Sequence, residues 1–203
     1  LLGGYPLAMQ VVLANLTAAT PADVIDRLQA GDVDLDDPTA GGDKTRSILQ
    51  CIDYSHSNLS EAAQGLLLCL APFTGVINVN WLDQYSEQLR AQPALAALPF
   101  EQWETVLKDA ARRGLLTPHK DEWLRQNGYW QLQPIFPYFL KTRLSESDAP
   151  KAAIDEAFRA HYSGIGGDLA DLILSKQPLE RQAGQALIGV EYENLMTALN
   201  VAL

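Results

Sequence analysis

Histidine, cysteine and clustered aspartate are the residue types here that could do chemistry, and their spacing limits what they can do. His56, His119 and His161 are scattered along the chain. A histidine acts as a general base once a carboxylate or nucleophile orients it, and the sequence places none for that purpose. All three are expected at surface or helix-end positions. Cys51 and Cys69 lie inside apolar helical patterns, with no partner His or second Cys close by. Neither a disulfide framework nor a zinc site is expected of them. They read as reduced, buried thiols behaving as small hydrophobes, which suits a cytoplasmic protein.

The run Asp32-Val33-Asp34-Leu35-Asp36, with Asp43 in the twelfth position, imitates a calcium loop. The turn glycine of such a loop is replaced by Asp37, and its last ligand is Asp instead of a bidentate Glu. A solvated acidic linker is the expectation. No Gly-x-x-x-x-Gly-Lys-[Ser/Thr], His-Glu-x-x-His or Gly-x-Ser-x-Gly occurs in the chain, so no phosphate cradle and no hydrolase centre is expected. The aromatics Trp123, Tyr129, Trp130, Phe136, Tyr138 and Phe139 crowd one stretch. Base stacking would need cations around them, and only Lys120, Arg125, Lys141 and Arg143 lie near. They are expected in the core of a wing and the helix after it. The net charge of -10 argues against a phosphate-binding face, which rests on clustered Lys and Arg. No apolar run reaches the ~18 residues that span a bilayer.

Helices must position these residues, since nearly every periodic segment is helical. Leu7 to Leu16 is an apolar helix after a Gly-Gly-Tyr-Pro turn. Thr20-Pro21-Ala22-Asp23 is a helix start with a capping box. Gly31 to Asp43 is a linker. Ile48, Cys51 and Ile52 share a helical face. Ser60 caps a helix whose Ala63, Leu66, Leu67 and Leu70 recur at helical spacing. Pro72 to Val79 is short and β-branched. Trp103, Val106, Leu107, Ala110 and Ala111 face inward from a helix that Gly114 terminates. Leu115-Leu116-Thr117 and Tyr129 to Gln133 form a ribbon, and Pro134 leads into a helix through Phe139 and Leu144.

That order is the plan of a winged helix. After a second linker at 145–150 come three helix patterns, Ala152–Tyr162, Leu169–Lys176 and Gln182–Leu203. In the last, Ile188, Tyr192, Leu195, Leu199 and Ala202 form a stripe that should pack on neighbouring helices. The fold expected is mainly α: a helical subdomain over 1–42, a winged helix with a small β-hairpin over 43–146, and the start of an α-solenoid-like, TPR-like array over 147–203. The chain opens on Leu1 with no Met, signal region or cleavage site, and closes on a helical pattern without a Gly or Pro stop. It reads as an excised piece of a larger protein.

Four segments in order carry a resemblance. They are Gly4-Tyr5-Pro6-Leu7-Ala8, Ser55-His56-Ser57-Asn58-Leu59-Ser60 with Leu66-Leu67, Gly128 to Ile135, and Glu191 to Leu199. Together they resemble STAND-type signalling ATPases of the NB-ARC class, in their bacterial form. The resemblance implies a nucleotide switch whose ADP or ATP, with Mg, is bound in the full-length protein and not by this piece alone. It implies that Gly4 and Pro6 belong to the Gly-x-Pro motif, with Pro6 packing on adenine. It also implies that Gln133 stands where the family carries a histidine contacting the β-phosphate. Gln can donate a neutral hydrogen bond but carries no charge. The remaining implications are a P-loop domain earlier in the same chain, a protein or ligand sensed by the helical array, oligomerisation of the parent on activation, and no catalysis by this portion. Neither a membrane nor DNA is an expected partner. A winged-helix transcription regulator with a helical effector domain is an alternative, and a plain helical interaction scaffold is another.

Overall fold

Ser60 shows how directly this chain encodes its helices. Its hydroxyl accepts the Ala63 N–H at 3.2 Å, taking one of the donors that a helix start leaves unpaired. In the computed structural model, which describes residue 20 and residues 44–145 and 148–201, this cap opens α2 (Glu61–Leu68), after α1 (Lys44–Ser57). The helix expected over Leu7–Leu16, the linker over Gly31–Asp43, Gly4 and Pro6 lie outside the described residues.

β1 (Val76–Asn78) follows, then α3 (Leu82–Arg90) and α4 (Trp103–Arg112). Leu82, Tyr85, Ser86 and Leu89 are buried on α3, and Trp103, Val106, Leu107 and Ala110 on α4. Each set keeps the i, i+3, i+4, i+7 spacing of one helical face. α4 stops at Gly114, whose φ of 73° suits a residue without Cβ. There Leu115 N–H donates to Ala110 C=O and Gly114 N–H to Ala111 C=O, both at 3.0 Å, the paired bonds of a Schellman cap.

β2 (Leu116–Pro118) and β3 (Tyr129–Leu132) flank a loop holding the short α5 (Glu122–Gln126), which Asp121 caps. The sheet is antiparallel in the order β1-β3-β2, pairing Ile77 with Trp130 and Thr117 with Gln131. The ribbon expected from the sequence is therefore joined by a third strand. Three helices, this sheet and the loop between β2 and β3 have the winged-helix order. α6 (Phe136–Leu144) then returns across α1 and α2.

α7 (Asp148–Leu174) and α8 (Pro178–Val201) complete the fold as a long hairpin. The patterns Ala152–Tyr162 and Leu169–Lys176, read as separate helices, are one helix up to Leu174. Ile154, Phe158, Tyr162, Ile165 and Leu169 are buried along it, so packing carries the helix through Gly164, Gly166 and Gly167. α7 lies on α3 and shares one core with the winged helix. Phe73, Tyr85 and Phe158 meet there edge to face, with ring centroids 5.0 and 5.3 Å from Phe73. The hairpin closes tightly at Gly184, where a Cβ would come 2.9 Å from that of Leu172. Cys51 and Cys69 are free and buried. No helix among the described residues is long and apolar enough to cross a membrane.

The apolar stripe expected on α8 is rotated. Tyr192 and Leu199 are 58% and 60% exposed, while Gly184, Glu191, Asn194 and Ala198 are buried. The inner face of α8 thus includes two polar residues that period alone does not select. The aromatic cluster divides too: Tyr129, Phe136 and Phe139 are core, whereas Trp123 and Tyr138 are exposed.

Candidate functional site

Gln133 follows the last residue of β3, at the pivot between sheet and α6. Its N–H donates to Leu115 C=O at 3.1 Å and its C=O accepts the Phe136 N–H at 2.8 Å. The backbone is held on both sides while the side chain stays half-buried. A carboxamide so placed can donate to an anion or accept from a donor, without charge. Of the three residues singled out from the sequence as nucleotide contacts, Gln133 lies within the described region, and Gly4 and Pro6 lie outside it.

A second polar arrangement joins α8 to the sheet. Gly75 C=O and Val79 N–H bond toward β3, so Thr74 N–H and Val76 C=O point to the outer edge of β1. Asn194 fills both. Its Oδ1 accepts the Thr74 N–H at 2.7 Å, and its Nδ2 donates to Val76 C=O at 3.1 Å. The side-chain amide makes the bonds a further strand would make and closes an edge that would otherwise be open to pairing. The second Nδ2 hydrogen goes to Glu191 Oε2 at 2.8 Å, which also accepts the Tyr162 hydroxyl at 2.8 Å.

Glu191 is fully buried. Burial raises its carboxyl above the ordinary range, against the lowering effect of donors from Asn194 and Tyr162. Burial, and then this carboxylate, push the Tyr129 phenol up. Glu191 Oε1 and the Tyr129 hydroxyl are buried without a hydrogen-bond partner, and a proton on Oε1 would give that oxygen a donor to offer. This seam, Tyr162–Glu191–Asn194–β1, escaped sequence reasoning. Its signal was present: Glu191, Asn194 and Ala198 recur at helical spacing on the face that also holds Gly184 and Ile188.

α3, α4 and β3 enclose a third feature, a cavity of about 380 Å³. Phe100 and Trp103 are buried in its floor and Trp130 is half-buried at its side. The Trp103 indole N–H is held by Ser86 Oγ at 2.8 Å, and that hydroxyl donates to Leu82 C=O at 2.6 Å. The indole is thereby fixed with its ring toward the cavity and its polar atom satisfied.

His56 stands at a helix end as expected, although buried, whereas His161 departs from expectation. His161 is buried in mid-helix on α7, and His56 is buried at the end of α1, its ring 5.2 Å from that of Phe139. Burial is the first cause that lowers each to about 4, so both are neutral. They are core residues because their flat rings fill space between aromatics. His161 lies 5.2 Å from the Tyr85 ring. His119 is half-buried in the wing loop, where its Nδ1 accepts the Asp121 N–H at 3.1 Å. Among the described residues no group of three His, Cys, Asp or Glu side chains could hold a metal ion; the Asp32–Asp43 run lies outside them. No family model, no curated protein and no solved structure matches this chain.

Proposed function

We propose that this chain is the regulatory, non-catalytic portion of a STAND-type nucleotide switch. Gln133 carries the reading. It has the position that the resemblance predicts for the phosphate sensor, directly after the wing strand, with its main chain held and no side-chain hydrogen bond among the described residues. In this reading Gly4 and Pro6 supply the adenine contacts, and a P-loop domain elsewhere in the same chain supplies the phosphate cradle and Mg. ADP bridging the two parts holds the closed state, and exchange to ATP releases the winged helix. The α7–α8 hairpin is the first unit of a cytoplasmic sensing array, tied to the switch through the Asn194 seam.

The winged helix is not read as a DNA reader. On α4, Lys108 pairs with Glu104 at 2.5 Å and Arg112 with Asp109 at 2.7 Å, so two of the three cations of the would-be recognition helix, Glu101 to Arg113, face its own acids. A helical interaction module without nucleotide is the second reading, favoured by the exposed Tyr192 and Leu199 of α8. Calorimetric titration of ADP into the full-length parent separates the two. The switch reading expects binding that Gln133→Ala weakens by about five- to ten-fold, the worth of one neutral hydrogen bond. ADP affinity unchanged by the substitution removes Gln133 as sensor, and absence of ADP binding removes the switch.

A further inference from the structure

We propose that the cavity between α3, α4 and β3 receives an arginine side chain from a partner peptide. This does not rest on the nucleotide reading. A volume of about 380 Å³ falls in the range of small-ligand pockets and exceeds what a lone water or ion needs. Its walls combine aliphatic Val79, Leu82 and Leu107 with the rings of Phe100, Trp103 and Trp130. Its mouth carries Asp83, Glu101 and Glu104, all exposed.

An aromatic floor under a carboxylate rim selects an amphipathic cation. An apolar ligand would leave the carboxylates unused, and an anion would be repelled by them and by the net charge of -10. A strongly hydrated metal ion would gain nothing from the rings. The chain demonstrates both contacts on itself. Lys108 lies at the cavity edge and places its ammonium on Glu104, and Arg90 lays its guanidinium over the Phe100 ring at 5.2 Å. Asp83 and Glu101 have no ion-pair partner among the described residues, so two carboxylates remain for an incoming charge. Arginine fits better than lysine. Its plane can stack on the half-buried Trp130 while its fork reaches a carboxylate, and its apolar stem can lie along Leu82 and Leu107.

The test is a titration of the chain, labelled with nitrogen-15, with N-acetyl-arginine amide, following the indole N–H signals. The Trp103 and Trp130 signals should move with a dissociation constant on the order of millimolar, as befits one side chain, while exposed Trp123 stays still. N-acetyl-citrulline amide, which keeps the shape and lacks the charge, should bind at least about five-fold more weakly. The surface pair Asp83→Asn with Glu101→Gln should weaken arginine binding by a similar factor, and Trp130→Leu should abolish the stacking shift. Unmoved Trp103 and Trp130 signals overturn the proposal. So does equal binding of citrulline, which would make the cavity a site for neutral molecules, or tighter binding of N-acetyl-glutamate amide. Unchanged amide spectra elsewhere in each variant establish that the fold is kept.

Discussion

The cavity beside α4 and the seam between α8 and β1 use the same residue types, aromatic rings beside carboxylates, and behave in opposite ways. At the seam the polar groups are shut away from water. Glu191 is surrounded by Tyr162, Asn194 and Tyr129, and burial raises its carboxyl. At the cavity the carboxylates of Asp83, Glu101 and Glu104 stand in solvent around an open volume. The seam ties α8 to β1 through Asn194 and keeps its two unmatched oxygens, Glu191 Oε1 and the Tyr129 hydroxyl, away from water, whereas the cavity has binding capacity because its unpaired carboxylates face solvent. Desolvation makes this difference, since a buried polar group without a partner costs far more than an exposed one gains by pairing.

The sharpest way to break the comparison is Asn194→Ala. It strands the part-buried Thr74 N–H and Val76 C=O together with one side of the fully buried Glu191. We expect a loss of about 4 kcal/mol from the sum of unsatisfied buried groups, read as a lower midpoint in urea denaturation. Thr197→Ala provides the control. Its contact with Thr74 is long, at 3.4 Å, and its midpoint should barely move. A small effect of Asn194→Ala would mean that the α7–α8 hairpin is held by its apolar face alone.

Acid provides the next largest effect, and two groups pull in opposite directions. Burial holds His161 near 4 in the folded chain, against about 6.5 unfolded. The unfolded chain therefore binds the proton first, so this contribution is whole above about pH 6.5 and is lost as pH falls toward 4. It amounts to about 3 kcal/mol at most. Glu191 has the reverse sign. Its folded value is raised, so its contribution is full below the unfolded carboxyl range and is lost as pH rises through the folded value. The groups around His161 are Tyr85 and Tyr162, which stay neutral throughout this window because burial raises both phenols. His161→Phe should flatten the decline in melting temperature between pH 6.5 and 4. A variant that declines as steeply as the parent would shift the acid sensitivity to His56.

How much of this was legible in the sequence follows the range of each cause. Ser60 and Gly114 act within a few residues, so cap and stop could be read directly, whereas α3, which opens after Trp81 without a side-chain cap, was not expected. The short β-branched run that holds β1 was legible, but its pairing with β3, more than fifty positions away, was not. The continuity of α7 was hidden because its glycines imitate a break, and only burial of Ile165 and Leu169 against neighbours overrides them. The α8 stripe was misjudged by less than one turn. Hydrophobic period selected Tyr192 and Leu199, whereas hydrogen bonding to β1 turned Asn194 and Glu191 inward. The cavity was illegible for the same reason, since Phe100, Trp130 and Asp83 come from three separate elements.

The smallest expected effect sharpens the comparison from the exposed side. Glu104 is fully exposed, and Lys108, by its hydrogen bond and its charge, lowers the Glu104 carboxyl. A pair in solvent loses most of its attraction to screening and to the cost of ordering two flexible chains. Glu104→Gln should therefore leave the urea midpoint where it was, in contrast with Asn194→Ala. Its consequence should appear at the cavity instead. One rim carboxylate is then gone and the Lys108 ammonium is left unpaired in the cavity lining, where its charge repels an incoming guanidinium. Arginine binding should then weaken while stability stays constant, and the same titration at about 0.5 M salt, where the Debye length is a few Å, should erase the difference. A midpoint that falls with Glu104→Gln would show that this rim carries structural load as the seam does, and the contrast between the two regions would fail.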